Sequence, residues 1–330
     1  MQKSLALQAQ MTQELGTCVF DVTLDCEDGA PVGGEEHHAN MVVVLANQSL
    51  LATQKIAKER SCVVASRVAA RVHPVDHPSF ERDVAIIVGG AGKALCHLMI
   101  PKVESVADVE RAVQAIDRAT DQTSQKSTRT TALPLHVLIE SPAAVHRAFE
   151  IAAHPRVQSL SFGLMDFVSS HGGAIPASAM ESSPASPTQG LGQFSHPLVV
   201  RAKLEIASAC HAAGKVPSHC VVTEFKDLDA MRVAARRASR EFGFTRMWSI
   251  HPNQIRPILD AFAPEPDEVE QAERIVTAAH SAHWAPIQVD GRLHDRASYR
   301  YFWQVLERAH QTGTPMPDSA QVYFLNPAQR

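Results

Sequence analysis

The sequence predicts an α/β fold on a parallel sheet, and three observations predict it. Short apolar runs alternate with longer stretches of helical periodicity along most of the chain. His136 to Gly173 reads as one strand–helix–strand unit of about 30 residues, the size of a βαβ crossover. The chain has 330 residues, 45% hydrophobic and 20% charged, enough for one large barrel or two domains. Seven strand candidates fall near residues 19, 63, 96, 136, 159, 217 and 247. Helices lie between them, which points to a parallel (β/α) barrel one strand short of a closed eight.

Each element has its own signal. Residues 1 to 15 mix Leu5, Leu7, Ala9 and Met11 with Gln and Lys, a helix that Gly16 stops. Val19 to Leu24 is β-rich and runs into Asp25-Cys26-Glu27-Asp28-Gly29, an acidic cluster closed by a turn. A helix is expected from about His38 to Lys58, then a strand within Ser61 to Val72, closed by Arg71-Val72-His73-Pro74. Phe80 to Val88 is helical. Gly89-Gly90-Ala91-Gly92 reads as a loop, because it lacks the Lys-Ser/Thr of a phosphate cradle. Cys96 to Lys102 is a strand, Val106 to Arg118 a helix, and Thr120 to Thr131 a polar surface loop.

In the central unit, the apolar run His136 to Ile139 lies between Pro134 and Pro142, the pattern of a buried strand. Val145, Ala148, Phe149 and Ala152 share one helix face, and Ser159 to Phe167 is apolar again. Residues 174 to 197, rich in Ala, Ser, Pro and Gly, form a long loop expected to act as a lid. Helix Leu198–Ala213, strand Val216–Thr223, helix Leu228–Phe242 and strand Arg246–Pro252 follow. Beyond Pro264 come helix Asp267–Ser281, a turn at Asp290-Gly291-Arg292 and helix Ala297–His310. The expected division is a barrel over 1–263 and a small helical extension over 264–330.

Composition excludes several partners. The formal net charge is −4 with no long basic run, which argues against nucleic acid. No stretch reaches 18 consecutive apolar residues and no signal peptide is evident, so no membrane is involved and the cytoplasm is expected. Cysteines stand at 18, 26, 62, 96, 210 and 220 without a Cys-x-x-Cys. Cys26, Cys62 and Cys96 sit in apolar runs and read as buried thiols of a reducing compartment. His37-His38 and His280/His283 are tight pairs, and His73 and His77 are kept off a helical face by Pro74 and Pro78. Solvated or capping roles are expected for them.

Two residues carry chemistry. Glu140 and Asp166 each stand where a strand stops. In a parallel sheet such ends share one edge, and neighbouring strands are roughly 5 Å apart. Two carboxylates that close repel, and a hard divalent cation resolves the conflict. Mg²⁺ takes one or two protein carboxylates and fills its octahedron with water and substrate oxygens. The plain alternative is a pair of solvated loop acids.

Other motifs align in order along nearly the whole chain. They are Leu24-Asp25-Cys26-Glu27-Asp28, Arg71-Val72-His73, Pro101-Lys102-Val103-Glu104-Ser105, Ile139-Glu140-Ser141, and Phe162-Gly163-Leu164-Met165-Asp166. Trp248-Ser249-Ile250-His251-Pro252-Asn253-Gln254-Ile255 and Asp290-Gly291-Arg292-Leu293-His294-Asp295 complete the set. Together they resemble the citrate lyase β-subunit-like group of the HpcH/HpaI aldolase superfamily, which also holds malyl-CoA and citramalyl-CoA lyases. The resemblance implies a TIM (β/α)8-type barrel with Mg²⁺ held by Glu140 and Asp166. It implies that Arg71 contacts a substrate carboxylate or the thioester oxygen. It also implies homotrimers or hexamers in which a C-terminal helical piece covers a neighbour's site. Asp295 matches an aspartate that some members use for thioester hydrolysis; a helix N-cap is its other reading.

Three departures stand out. The family's opening strand has no counterpart before Met1, so the first barrel strand is expected to be missing from this sequence, through either a truncated start or a gapped barrel. His73 replaces an Asn, and Ser141 stands where many members have Thr. The expected activity is Mg²⁺-dependent carbon–carbon cleavage of a 3-hydroxyacyl-CoA or hydroxy-dicarboxylic acid thioester. Arg71 would stabilise the enolate, Glu27 and Asp28 are candidates for proton transfer, Lys102 could hold an anion, and His251 could line the mouth. A CoA-independent 4-hydroxy-2-oxo acid aldolase, or a silent barrel binding an acyl carrier or partner subunit, are the competing readings.

Overall fold

The computed structural model describes residues 1–30, 32–60, 67–122, 132–182 and 190–324. These fall into two compact units, Met1–Gln10 with Phe20–Ala261, and Met11–Val19 with Phe262–Arg330. No helix among the described residues is long and apolar enough to cross a membrane.

The first unit alternates helix and strand: α1 (Gln2–Leu15), β1 (Val22–Asp25), α2 (Glu35–Arg60), β2 (Val68–Arg71), α3 (Phe80–Ala91), β3 (Leu95–Ile100) and α4 (Val106–Gln122). It continues with β4 (Leu135–Ile139), α5 (Pro142–His146), α6 (Ala148–Ala153), β5 (Val157–Phe162), α7 (Leu164–Ser169), α8 (Pro197–Ala212), β6 (Val216–His219), α9 (Leu228–Arg240), β7 (Arg246–Met247) and α10 (Ile255–Phe262). Helix α1 begins in this unit and ends in the other. The seven strands form one parallel sheet in chain order, the expected barrel-type sheet of seven strands. No ladder joins β1 to β7 among the described residues. Strand β4 is buried at every position, as a strand covered on both faces must be.

Register places chemistry at one rim. Asp25 pairs with Arg71, Arg71 with Met99, and Ile139 with Phe162. The C-terminal ends of β1 to β5 therefore finish together, carrying Asp25, Arg71, Lys102, Glu140 and Gly163 to the same edge.

The opposite end of the sheet is polar. Asp21, just before β1, pairs with Arg67, just before β2, and with Arg246 at the start of β7, 3.2 Å away. Burial would raise the Asp21 carboxyl, but the two guanidinium groups hold it below the usual range. Gln8 of α1 donates to the carbonyls of Phe20 (2.7 Å) and Arg67 (3.1 Å). The His97 and His136 rings stack 5.3 Å apart, and Ser159 Oγ lies 2.6 Å from His136 Nδ1. Burial keeps both imidazoles neutral, His97 down to about 4. Asp21, Cys96 and His97 bring ligating atoms within 4.8 Å of one another. Both arginines already neutralise Asp21, which opposes an added cation there.

Several expectations are corrected. Gly89 and Gly90 lie inside α3, not in a loop: a Cβ on Gly90 would come 2.8 Å from Val43 Cγ1 of α2, so glycine serves helix–helix approach. The single helix expected after Pro142 is two. Arg147 leaves helical dihedrals (φ −100°, ψ 9°) between α5 and α6, and Phe149 is exposed. Strand β5 stops at Phe162, so Asp166 stands in the first turn of α7 rather than at a strand end. The strand expected near residue 63 begins at Val68, and residues 61–66, with Cys62, lie outside the described residues. So do 123–131 of the polar loop and 183–189 of the proposed lid; Ala177–Met180 of that loop is a 3-10 turn. Cys26 is buried as expected, whereas Cys96 is only partly so.

The second unit has its own core. Helices α11 (Pro266–Ser281) and α12 (Arg296–Thr312) pack Val269, Ile275, Val276, Phe302 and Leu306 together, with Ala320 of α13 (Asp318–Gln321). Between α11 and α12, β8 (Ile287–Val289) and β9 (Arg292–His294) form an antiparallel hairpin. Its turn residues Asp290 and Gly291 both have positive φ (51° and 76°), the twist two-residue hairpins prefer.

Candidate active site

Arg71 ends β2 and is almost buried, so its charge must be paired. Its Nε and Nη2 each donate to one oxygen of Asp25 at 2.7 Å, a bidentate fork. Nη1 lies 2.7 Å from Glu27 Oε2 and 3.7 Å from Asp28 Oδ2. The guanidinium also sits 5.4 Å from the Trp248 ring. The backbone N–H groups of Glu27 and Gly29 donate to Asp25 at 3.0 Å. Burial would raise the Asp25 carboxyl, but Arg71 and these N–H groups hold it below the usual range. Asp25 is thus the aspartate that fixes the arginine. Sequence reasoning misses it, because the acidic cluster does not show which carboxylate the register brings opposite Arg71.

Lys102 follows β3 with φ of +52°, a left-handed backbone uncommon for a side-chain-bearing residue. Its backbone N–H donates to Glu140 Oε2 at 2.6 Å. Its Nζ donates to Glu27 Oε1 at 2.7 Å and lies 3.7 Å from Asp28 Oδ1. The ammonium is therefore engaged by protein carboxylates, and Glu27 holds it charged against burial. Burial lifts the Glu27 carboxyl, with Lys102 and Arg71 opposing.

Glu140 follows β4 and is buried. Ser141 accepts from the Ala144 N–H at 3.0 Å and Pro142 opens α5, so the chain turns directly after the carboxylate. Ser141 Oγ also donates to Glu104 at 2.8 Å, tying the β4 end to the β3–α4 loop. A Cβ on Gly163 would overlap Glu140 Cγ and Oε1, so the carboxylate occupies space that glycine leaves open. Burial pushes the Glu140 carboxyl up to about 7. The negative charges of Asp166 and Glu27 add to this, and the Lys102 N–H opposes it.

Asp166 meets Glu140 and Lys102 electrostatically from α7. The rim thus brings together Glu27, Asp28, Arg71, Lys102, Glu140 and Asp166. Carboxyl groups outnumber the cations Arg71 and Lys102, and every donor in the acidic set is a hard oxygen. A buried carboxyl pushed toward neutrality beside further acids suits Mg²⁺, and Glu140 and Asp166 are the residues that would hold it.

The other two expected site residues have local capping contacts. His251 caps a 3-10 turn over Pro252–Gln254, accepting from the Asn253 N–H at 3.2 Å, and its ring is 5.4 Å from Phe225. Asp295 belongs to the second unit and caps α12, its carboxylate accepting from the N–H groups of Ala297 (2.9 Å) and Ser298 (3.4 Å).

Known proteins share this framework. A family model described as HpcH/HpaI aldolase/citrate lyase matches residues 4–252. An L-malyl-CoA/beta-methylmalyl-CoA lyase of Cereibacter sphaeroides is 32% identical over 257 residues, covering 73% of this chain and 76% of that one. A malyl-CoA/beta-methylmalyl-CoA/citramalyl-CoA lyase of Chloroflexus aurantiacus is 27% identical over 265 residues, covering 77% and 74%. The crystal structure of a citrate lyase from Burkholderia xenovorans LB400 superposes with a TM-score of 0.76 at 45% identity, covering 98% of this chain and 92% of that one. The protein CitE of Mycobacterium tuberculosis, solved with magnesium, acetoacetate and coenzyme A, shares the fold at TM-score 0.60 and 19% identity, covering 93% and 95%. The chain belongs to the HpcH/HpaI aldolase/citrate lyase family and is a carbon–carbon lyase.

Proposed function

We propose that this protein is a Mg²⁺-dependent lyase that cleaves a carbon–carbon bond in a small 3-hydroxyacyl-CoA thioester. The observation that carries the reading is Glu140, a buried carboxyl held near neutrality beside Asp166 on the rim that bears Arg71. The names of the malyl-CoA-type relatives supply the substrate class. Bound Mg²⁺ would supply Lewis-acid polarisation of a substrate oxygen and a template for the acid.

The chain's own residues do the rest. Arg71 is fixed at the rim by Asp25 and Glu27. In this reading its guanidinium stabilises the charge that develops on the thioester oxygen as the bond breaks, and its preorganisation lowers the barrier. Glu27 is buried, raised and hydrogen-bonded to Lys102, which suits it to hold or pass a proton at Oε1 or Oε2. We assign Lys102 to ordering these carboxylates rather than to an anion, and Asp295 to helix capping rather than hydrolysis. Kinship with the family also carries a homotrimer or hexamer, which sedimentation equilibrium reads directly.

The test is turnover of malyl-CoA to acetyl-CoA and glyoxylate, with Mg²⁺ affinity measured by calorimetry. Glu140→Gln and Asp166→Asn should each abolish metal-dependent turnover and weaken Mg²⁺ binding while the fold persists. Wild-type rates in either variant would refute the assignment. Turnover of pyruvate plus an aldehyde instead would move the substrate class to CoA-independent aldol chemistry.

A further inference from the structure

Glu140 is held by an unusual partner. The only hydrogen bond to its carboxylate among the described residues comes from the Lys102 backbone N–H, to Oε2 at 2.6 Å. Lys102 adopts φ +52° directly after Pro101, so the N–H that Glu140 accepts belongs to a left-handed residue. Left-handed backbone is disfavoured for residues with a Cβ and is found where surrounding structure enforces it, often at functional sites. From the other side, the missing side chain of Gly163 leaves space that Glu140 Cγ and Oε1 occupy. One oxygen is tied and the other is left open.

We infer that Lys102 is a positioning residue that acts through its main chain: its left-handed conformation ties Glu140 Oε2, so that Oε1 alone is offered to a cation. The inference rests on the metal reading above and gives that site a selectivity. A carboxylate that can offer only one oxygen suits a small octahedral ion and denies a larger one the bidentate grip it favours. The site should therefore prefer Mg²⁺ and Mn²⁺ over Ca²⁺. The Lys102 side chain acts separately, its ammonium bridging Glu27 and Asp28 on the same rim.

Two substitutions separate backbone from side chain. Lys102→Gly and Lys102→Val both remove the ammonium, but glycine accepts positive φ freely and a β-branched residue resists it strongly. Calorimetry with Mg²⁺ and Ca²⁺ on the metal-free enzyme should find Lys102→Gly within about threefold of wild type for Mg²⁺, with selectivity kept. Lys102→Val should lose about tenfold or more in Mg²⁺ affinity and narrow the Mg²⁺/Ca²⁺ ratio. Its kcat should fall with its metal affinity, whereas Lys102→Gly should lose kcat alone. Crystal structures of both metal-free variants give a second readout: the Glu140 carboxylate should stay in place in the glycine variant and rotate away in the valine variant. An unmoved carboxylate in Lys102→Val, or equal metal affinity in the two variants, overturns the inference. If wild type binds no Mg²⁺ at all, the metal reading fails, and the carboxylate positions still judge the clamp.

Discussion

At the scale of single residues, buried charge decides most. Lys203 in α8 is fully buried, and no carboxylate pairs with it among the described residues. Its Nζ donates to Gln193 Oε1 at 2.8 Å and lies 3.8 Å from the Phe194 ring centre. Burial brings the ammonium down to about 8, with Arg237 adding to the effect. The unfolded chain keeps its proton to about 10.5, so between 8 and 10.5 it binds more protons than the folded protein. Stability should therefore rise with pH across that window. Lys203→Met should raise stability by about 1–3 kcal/mol at pH 7 and flatten that slope, as read by urea melts at several pH values. Gly163→Ala should do the reverse to function. Its Cβ must displace Glu140, and turnover should fall on the order of 100-fold with little change in melting temperature. A normal rate would show that the carboxylate has room to move.

Among elements, what is legible in the sequence follows from where the information lies. Strand β4 is readable because an apolar run between Pro134 and Pro142 has one physical outcome. Glu140 and Asp166 stand out because both follow buried strands closely, although Asp166 sits a turn further on, in α7. The α3 glycines mislead because glycine signals a break locally and close packing globally; only contact with Val43 reveals the second. Asp25 and Lys203 are hidden for a related reason: one depends on register and the other on what a helix covers. The Asp21 cluster has the same non-local character, linking β1, β2 and β7 through one carboxylate. Asp21→Ala should leave two half-buried arginines facing each other and cost about 2–3 kcal/mol, somewhat less than breaking a fully buried pair, measured by denaturant unfolding. A loss below about 1 kcal/mol would place the cluster in the class of exposed ion pairs.

For the molecule as a whole, metal, proton and fold are linked through Glu140. In the metal-free protein its carboxyl titrates at about 7, against an ordinary 4.5. Between those values the folded chain holds a proton that the unfolded chain has released, so metal-free stability should fall as pH rises through this window. Mg²⁺ needs the ionised form. At a hundredfold excess over its dissociation constant it should stabilise the fold by about 2.7 kcal/mol at pH 8. That gain should shrink by up to about 1.4 kcal/mol for each pH unit below 7. Thermal melts with and without Mg²⁺ at pH 6 and pH 8 check this, and an equal shift at both values would separate metal binding from this carboxyl.

The edge between β1 and β7 is held differently from the other strand boundaries. Those are laced by amide ladders that acid leaves untouched, whereas this one line is fastened by a carboxylate gripped between two guanidinium groups. Such a fastening obeys protonation and ionic strength. Strong acid should therefore unbutton the sheet along that single line, exposing its two outermost strands while the inner ones remain joined.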